Sequence, residues 1–319
     1  MIKRIAVLTS GGDAPGMNAC VRAVIRSALA YGIEPYVVYE GYKGLVENKL
    51  EKVNKAFTQD IITRGGTILK SSRLPEFVNL DVQEKAIENL KANSIDALIG
   101  IGGDGTYRGL LALSNLGFPV IGIPGTIDND VASTDKTIGF DTALNTICDC
   151  VDKIKDTSSS HQRCSVVEVM GRHCGDLAIF SGIAEAAELT ISSDHQLDKK
   201  EIFKKLKQMH DNEKSHAIVI VSENLMDVEK FAKEIEHETG FETRTEILGR
   251  LQRGGCPTAA DRILASRFGA AAVELLINDI HGRVVGFKKN NIIDLPIKQA
   301  LEMERDIRKP LLKLIDLLA

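Results

Sequence analysis

Residues 121–130 read IGIPGTIDND, a stretch that combines an apolar run, a turn and two acidic side chains. Its apolar beginning predicts a short buried strand, and Pro124 and Gly125 predict a tight turn directly after it. Asp128 and Asp130 then follow a strand end, where open parallel sheets bind ligands. Two neighbouring carboxylates suit a proton-accepting base or a metal ligand, while an Asx-turn that only shapes the loop is the structural alternative.

A second acidic loop, GGDGT at residues 102–106, follows an apolar run that predicts another buried strand at residues 96–101. With Gly100 it matches the dinucleotide fingerprint GxGxxG. However, the carboxylate of Asp104 would repel a bare pyrophosphate, and it suits a phosphate cradle only with Mg²⁺ between the two. This loop therefore indicates magnesium–nucleotide chemistry, and together with residues 121–130 it predicts a phosphoryl-transfer centre.

A third glycine-rich loop, TSGGDAPG at residues 9–16, lies between a predicted strand at 5–8 and a predicted helix at 17–30. Backbone N–H groups in such a loop and the N-terminus of the following helix attract anions. The loop lacks the Walker pattern, and a purely structural turn is the alternative. On the helix, Arg22 and Arg26 share a face, which forms either a solvated basic surface or an anion site.

Buried strands alternate with helices along the chain, which predicts a doubly wound α/β fold. Further strands are expected at about 35–39, between 64 and 73, and, in the second half, at 165–170, 217–221 and 243–248, whereas residues 47–60 and 158–163 read as irregular. The length of 319 residues exceeds one ordinary core and suggests about two domains.

Composition argues against several classes of partner. The chain carries 40 basic and 44 acidic side chains, a balance that argues against nucleic acid and anionic membranes as partners. No stretch approaches the length of a membrane span. Six cysteines without C-x-x-C spacing predict the reduced thiols of a cytoplasmic protein.

Arginines recur near predicted strand ends or glycine turns. In the first half, Arg73 would suit a bridge between two phosphate groups. Each arginine taken singly is an ordinary surface residue, but the cluster in the second half predicts a phosphorylated, negatively charged substrate. That cluster comprises Arg163, Arg172, Arg244, Arg250 and Arg253.

These features together resemble the bacterial ATP-dependent 6-phosphofructokinases over essentially the whole chain. GGDG alone is shared with NAD kinases and diacylglycerol kinases, but the combination in this order is specific. The matching stretches are residues 8–18, 102–106, 124–130, 170–172 and 252–255. The resemblance implies a glycolytic kinase that transfers the γ-phosphoryl group of MgATP to the 1-hydroxyl of fructose 6-phosphate.

The resemblance also implies roles for residues. Asp128 would be the general base, and Asp104 would hold Mg²⁺. The implied catalytic residues are Asp128, Thr126, Arg172 and Gly12. The implied ATP site comprises Gly12, Arg73, Gly103, Asp104, Gly105 and Thr106. The implied sugar-phosphate site comprises Thr126, Asp128, Asp130, Arg163, Met170, Gly171, Arg172, Glu223, Arg244, Arg250 and Arg253.

The family architecture implies two doubly wound, mostly parallel α/β domains with the active site in the cleft between them. The ATP-binding domain would comprise residues 1–138 plus 251–304, and the fructose-6-phosphate-binding domain residues 139–250 plus 305–319. A homotetramer is expected, in which Arg163 and Arg244 reach the active site of a neighbouring subunit.

Two glycines indicate the phosphoryl donor. Relatives that use pyrophosphate tend to carry Asp in place of Gly105 and Lys in place of Gly125, and glycines leave room for the α-phosphate of a nucleotide. ATP is therefore the expected donor. The alternatives are a pyrophosphate-dependent phosphofructokinase and a non-catalytic nucleotide-sensing subunit, and the retained acids and Arg172 argue against the latter.

The chain departs from the family at several positions. Arg250 replaces the usual His and remains cationic, with a different reach and pH dependence. The family's site for ADP or phosphoenolpyruvate matches here at Arg22, Arg26, Glu188, Lys214 and His216. It departs at Lys155, Ala186 and Asn212, which stand for an Arg, a Gly and a basic residue. Less positive charge predicts a reduced or altered effector response.

Overall fold

The protein is described by a computed structural model covering residues 2–318. Main-chain packing divides it into two compact units. The first unit comprises Met1–Ile127, Val131–Thr142 and Arg253–Arg305. The second unit comprises Asp128–Asp130, Ala143–Gln252 and Asp306–Ala319.

Strands and helices alternate through most of the chain. The strands are β1 (Arg4–Thr9), β2 (Glu34–Val38), β3 (Leu50–Lys52), β4 (Ala97–Gly102), β5 (Val120–Pro124), β6 (Cys164–Val169), β7 (Leu189–Ile191), β8 (Ala217–Ser222), β9 (Thr243–Ile247), β10 (Arg283–Lys288) and β11 (Asn291–Pro296). The helices are α1 (Met17–Ala30), α2 (Gly41–Val46), α3 (Leu80–Ala92), α4 (Asp104–Asn115), α5 (Phe140–His161), α6 (Asp176–Ala184), α7 (Lys199–Asp211), α8 (Val228–Thr239), α9 (Ala259–Ile277), α10 (Ile297–Glu302) and α11 (Lys309–Leu318). None of the helices within residues 2–318 has the length and apolar character needed to cross a membrane.

The first unit contains a seven-stranded sheet in the order β11-β10-β5-β4-β1-β2-β3. The five strands from β10 to β2 are parallel, and β3 and β11 add antiparallel edges. The residues of β4 and β5 are buried throughout, as strands covered on both faces require. The chain order reverses between β1 and β4, so the loops that follow these two strands flank the crevice where such sheets bind ligands.

The second unit contains a four-stranded parallel sheet in the order β7-β8-β6-β9. Its core joins apolar residues of β6 and β8 to the buried faces of α7 and α8, including Leu206, Phe231 and Ile235. The loops after β6 and β8 lie side by side because these strands are neighbours. The two sheets confirm the predicted mostly parallel α/β class.

Several predicted elements are wrong in detail. The strand expected between residues 64 and 73 is absent from the described chain, since the side chain of Asn18 occupies the backbone groups that a neighbouring strand would need. Its Nδ2 donates to the carbonyls of Arg64 and Gly66, both at 2.8 Å, and its Oδ1 accepts from the N–H of Ile68 at 2.8 Å. The residues expected to be irregular at 47–60 include β3, and part of those at 158–163 completes α5.

Candidate active site

The loops after β1 and β4 form one connected surface in the first unit. The N–H of Ser10 donates to the carbonyl of Ile101 at 3.0 Å, and Oγ1 of Thr106 donates to the carbonyl of Ser10 at 3.3 Å. A Cβ added at Gly12 would collide with the guanidinium of Arg253, so a side chain here would displace that arginine. The structure thus brings Arg253, predicted to bind the sugar phosphate, to the glycine loop predicted to bind ATP.

Asp104 is the first residue of α4 and is half-buried, with its backbone at the helix N-terminus. Residues 2–318 contain no group of three or more His, Cys, Asp or Glu side chains that could hold a metal ion. Mg²⁺ bound with a nucleotide usually takes one or two carboxylates and completes its shell with phosphate oxygens and water. A carboxylate beside a glycine-rich anion cradle fits that mode of binding, whereas an all-protein metal cage would need a larger group of ligands than the described residues provide.

The segment containing Arg73 is tied to the first glycine loop. Oγ of Ser71 donates to the carbonyl of Gly11 at 2.5 Å, and the hydroxyls of Thr9 and Thr67 are 2.9 Å apart. Arg73 is exposed two residues beyond Ser71. Within the first unit, the predicted ATP-binding residues therefore belong to one set of interlocked loops.

The beginning of the acidic turn joins the same surface. The N–H of Gly125 donates to the carbonyl of Gly102 at 3.0 Å, and a Cβ at Gly103 would lie 4.0 Å from Cβ of Thr126. The hydroxyl of Thr137 fixes the carbonyl of Thr126 at 2.6 Å. Within the first unit, the GGDGT loop and the start of the TIDND turn are direct neighbours.

In the second unit, Asp128 is almost fully buried and Asp130 is half-buried. Nε of Arg172 lies 3.7 Å from Oδ2 of Asp128, and the Arg172 side chain is 56% exposed. An ion pair this long and this exposed contributes little to stability, but it places an exposed cation beside a buried carboxylate. Asn129, between the two acids, has the left-handed backbone angle φ 51°.

The loop after β6 is held by a carboxylate from the loop after β8. Oε1 of Glu223 accepts from the N–H groups of Gly171 at 3.2 Å and Arg172 at 2.9 Å. Arg172 has a φ of 53°, a conformation that costs a non-glycine residue free energy and needs such support. Burial, and secondarily the charge of Glu223, raise the pKa of Glu168 on the adjoining strand.

Two of the predicted arginines lie elsewhere in the second unit. Arg163 comes just before β6 and pairs with Glu242 at 2.9 Å, while Arg244 lies on the edge strand β9 and also pairs with Glu242. Arg172 and Glu223 follow the opposite ends of their strands, and β6 alone spans roughly 20 Å at 3.3 Å per residue. The structure does not bring Arg163 and Arg244 together with Arg172. Arg250 is exposed on the 3₁₀ turn Gly249–Arg253, and Met170 is held through its N–H by Gln252 at 3.0 Å.

The predicted effector residues divide between the units. In the first unit, Nε of Arg26 donates to the hydroxyl of Thr58 at 2.5 Å, and Arg22 is half-buried. In the second unit the lysines are already paired: Lys155 with Glu185 and Lys214 with Glu188, both at 2.6 Å. His216 comes two residues after Lys214 and is half-buried. Ala186 has φ 46°, in the left-handed region that favours glycine.

Sequence reasoning missed several residues that position this machinery. Asn18, Gln252 and Asp176 are buried polar side chains whose partners lie on distant segments. The only available signal was their place inside or beside the glycine-rich motifs. Asp261 was also missed: its carboxylate accepts from the N–H groups of Gly139 at 2.9 Å and Thr142 at 2.8 Å, which caps the start of α5.

Comparison with known proteins identifies the family. A sequence model described as "Phosphofructokinase" matches residues 4–276. The chain belongs to the phosphofructokinase family. It is 55% identical over 317 residues to the ATP-dependent 6-phosphofructokinase of Photobacterium profundum, with 99% of each chain covered. It is 53% identical over 320 residues to that of Teredinibacter turnerae, with 100% of each covered.

Solved structures agree. The chain superimposes on a phosphofructokinase from Saccharomyces cerevisiae with a TM-score of 0.88 and 34% sequence identity. The match covers 94% of this chain and 45% of the yeast chain. The predicted family and fold class are therefore confirmed.

Proposed function

We propose that the protein is an ATP-dependent 6-phosphofructokinase, which transfers the γ-phosphoryl group of MgATP to the 1-hydroxyl of fructose 6-phosphate and releases ADP and fructose 1,6-bisphosphate. One observation carries the proposal: the GGDGT loop contacts the start of the TIDND turn in the first unit. Asp128 comes two residues after Thr126, so chain geometry limits their Cα atoms to about 7 Å apart. High identity to relatives of that name over their full length supports the same reaction.

In this proposal Asp128 accepts the proton of the attacking 1-hydroxyl. Its burial keeps water from competing for the carboxylate, and it follows Thr126, whose carbonyl accepts a hydrogen bond from Thr137, by two residues. Arg172, beside Asp128, would stabilise the negative charge that develops on the transferring group. Asp130 and Thr126 would line the acceptor side of the same turn.

The donor side would be formed by the loops after β1 and β4. The phosphate chain would bind at Gly12, Gly103, Gly105 and Thr106. Arg73 would bridge its oxygens. Asp104 would hold Mg²⁺, which would supply positive charge to the phosphate chain of the nucleotide. The N-terminus of α4 adds its dipole to the same end of the site.

The second unit would bind the sugar phosphate. Glu223 and the Met170–Arg172 loop would contact the sugar, and Arg250 would bind the 6-phosphate. Arg253 would serve from its position beside Gly12. Because Arg163 and Arg244 lie at the far end of β6, they would serve a neighbouring copy, which supports a homotetramer with shared active sites.

ATP is the proposed donor because a Cβ at Gly105 would meet open space, so the backbone leaves room for a nucleotide. Gly125 has a different physical reason for being glycine. A Cβ there would lie 3.0 Å from Ile101 and 3.1 Å from Met17, so the protein itself fills that space.

The direct test measures fructose 1,6-bisphosphate formation with fructose 6-phosphate and Mg²⁺, using either ATP or pyrophosphate as donor. Turnover with ATP alone supports the proposal. Turnover with pyrophosphate alone would assign the alternative donor class, and no turnover with either would point to a nucleotide-sensing subunit.

The same assay addresses regulation. We expect a reduced or altered response to ADP and phosphoenolpyruvate, because Lys155 and Lys214 already pair with carboxylates and Ala186 occupies a backbone conformation suited to glycine. A steep phosphoenolpyruvate inhibition curve, relieved by ADP, would contradict this expectation.

A further inference from the structure

A buried carboxylate at the start of α6 joins two distant segments of the second unit. Asp176 is 1% exposed. Its Oδ2 accepts a hydrogen bond from Nδ2 of Asn129 at 2.7 Å and another from Nε of Arg308 at 2.9 Å. The acidic turn and the C-terminal segment therefore share one carboxylate oxygen.

Asn129 matters because it lies between the two acids of the turn. Its backbone is left-handed at φ 51°, and the thiol of Cys174 lies 3.6 Å from its carbonyl oxygen in hydrogen-bonding geometry. Asp176, at the start of α6, thus contacts the side chain of Asn129, and Cys174, in the loop that precedes α6, contacts its backbone. A residue held at both points fixes the orientation of its neighbour Asp128.

Arg308, which contacts Asp176, is the residue directly before α11. Its guanidinium carbon lies 5.5 Å from the centre of the Phe180 ring on α6, and its side chain is 27% exposed. A second contact holds the same helix, since Oδ1 of Asp316 lies 3.0 Å from Nε2 of His195. These two contacts lie at different ends of α11, which makes them separable by mutation.

The buried pair is electrostatically demanding. A carboxylate at 1% exposure has given up its water, and removing its cationic partner leaves a buried charge without full compensation. Water or a rearranged side chain would then compete with Asn129 for Asp176. The turn that carries Asp128 would be the first segment to lose its fixed orientation.

We infer that Asp176 and Arg308 are positioning residues for the catalytic turn: the C-terminal segment fixes the orientation of Asp128 through the chain Arg308–Asp176–Asn129. This inference rests on the proposed role of Asp128 as general base. Neither Asp176 nor Arg308 touches substrate in this account, so their effect should appear in turnover rather than in nucleotide affinity.

The experiment compares the full-length enzyme with Arg308→Met, Arg308→Lys and the control Asp316→Asn. Misplacing a reacting group by about 1 Å costs up to about 10²-fold. Arg308→Met should therefore lower kcat by roughly 10–100-fold, with KM for ATP changed less than about twofold. Arg308→Lys should recover part of kcat, and Asp316→Asn should remain within about twofold of wild type.

Amide hydrogen exchange of the peptide covering residues 120–133 gives a readout that does not need activity. Exchange in this peptide should rise in Arg308→Met and stay at the wild-type level in Asp316→Asn. Unchanged exchange in Arg308→Met would overturn the inference, whether or not the protein acts on fructose 6-phosphate. Inactivity of the wild-type protein on fructose 6-phosphate would refute only the proposed function.

A double-mutant cycle tests the path itself. Asn129→Gly accepts the left-handed backbone and removes the amide, so Arg308→Met should add no further rise in exchange, and little further loss of kcat, in that background. The inference would fail if the effects of the two substitutions on exchange and kcat were fully additive. It would also fail if Asp316→Asn and Arg308→Met lost kcat equally, because Arg308 would then only stabilise the fold.

Discussion

The contact between Glu223 and the loop after β6 permits a quantitative prediction. Glu223→Gln keeps the length of the side chain and an acceptor oxygen, but it removes the charge that receives the N–H groups of Gly171 and Arg172. Hydrogen bonds to a charged acceptor contribute about 1.5–3 kcal/mol and neutral ones about 0.5–1.5, so each bond should weaken by about 1 kcal/mol. The two bonds together give about 2 kcal/mol, a factor of about 30.

We therefore expect Glu223→Gln to lower kcat/KM for fructose 6-phosphate by about 30-fold in a coupled steady-state assay, while KM for ATP changes by less than about twofold. KM for ATP should stay close to the wild-type value because the glycine loops belong to the first unit, whereas Glu223 belongs to the second. Glu246→Gln, which removes an exposed carboxylate from β9 of the same unit, is the matched control. Equal losses for both substrates, or equal losses in the control, would refute the reasoning.

Three further predictions concern stability. Asn18→Ala should cost roughly 2–4 kcal/mol in denaturant unfolding and raise KM for ATP, because it leaves backbone groups of the 64–68 loop without their partner. Asp261→Ala should destabilise by about 2–3 kcal/mol, as loss of the α5 cap and of a buried acceptor predicts; an effect below about 0.5 kcal/mol would contradict this. Burial and the charge of Glu223 raise the pKa of Glu168, so its favourable contribution is fully present below the unfolded value of 4.5 and is lost as pH rises through the folded pKa. Glu168→Gln should accordingly flatten the fall in unfolding free energy as the pH rises above about 4.5, and an unchanged slope would argue against the raised pKa.

The parallel sheet of the first unit was predictable because β1, β4 and β5 are continuous apolar runs that end in glycine motifs. Consecutive buried residues have few alternatives to a strand covered on both faces. The adjacency of the GGDGT loop and the start of the TIDND turn, Thr126, follows from the pairing of β4 with β5 within the first unit. Local pattern and sheet topology therefore carry most of the information about the glycine loops of the first unit.

Long-range polar contacts could not be predicted in this way. Nothing in residues 64–73 reveals that Asn18, some fifty residues earlier, takes their hydrogen-bonding groups. The sequence placed Arg163 and Arg244 near strand ends, but it does not say which end of a strand faces the site. Arg308 offers no local motif at all, because its partner Asp176 lies 132 residues away.

Asp128 is the proposed base for phosphoryl transfer from MgATP, and Asp128→Asn tests this role most directly. We predict that kcat falls by on the order of 10²–10⁴ in the ATP-coupled assay, while the dissociation constant for fructose 6-phosphate, measured by calorimetry, changes by less than about fivefold. A variant that keeps kcat within about threefold of wild type, or loses activity only in proportion to weakened sugar-phosphate binding, would contradict the account.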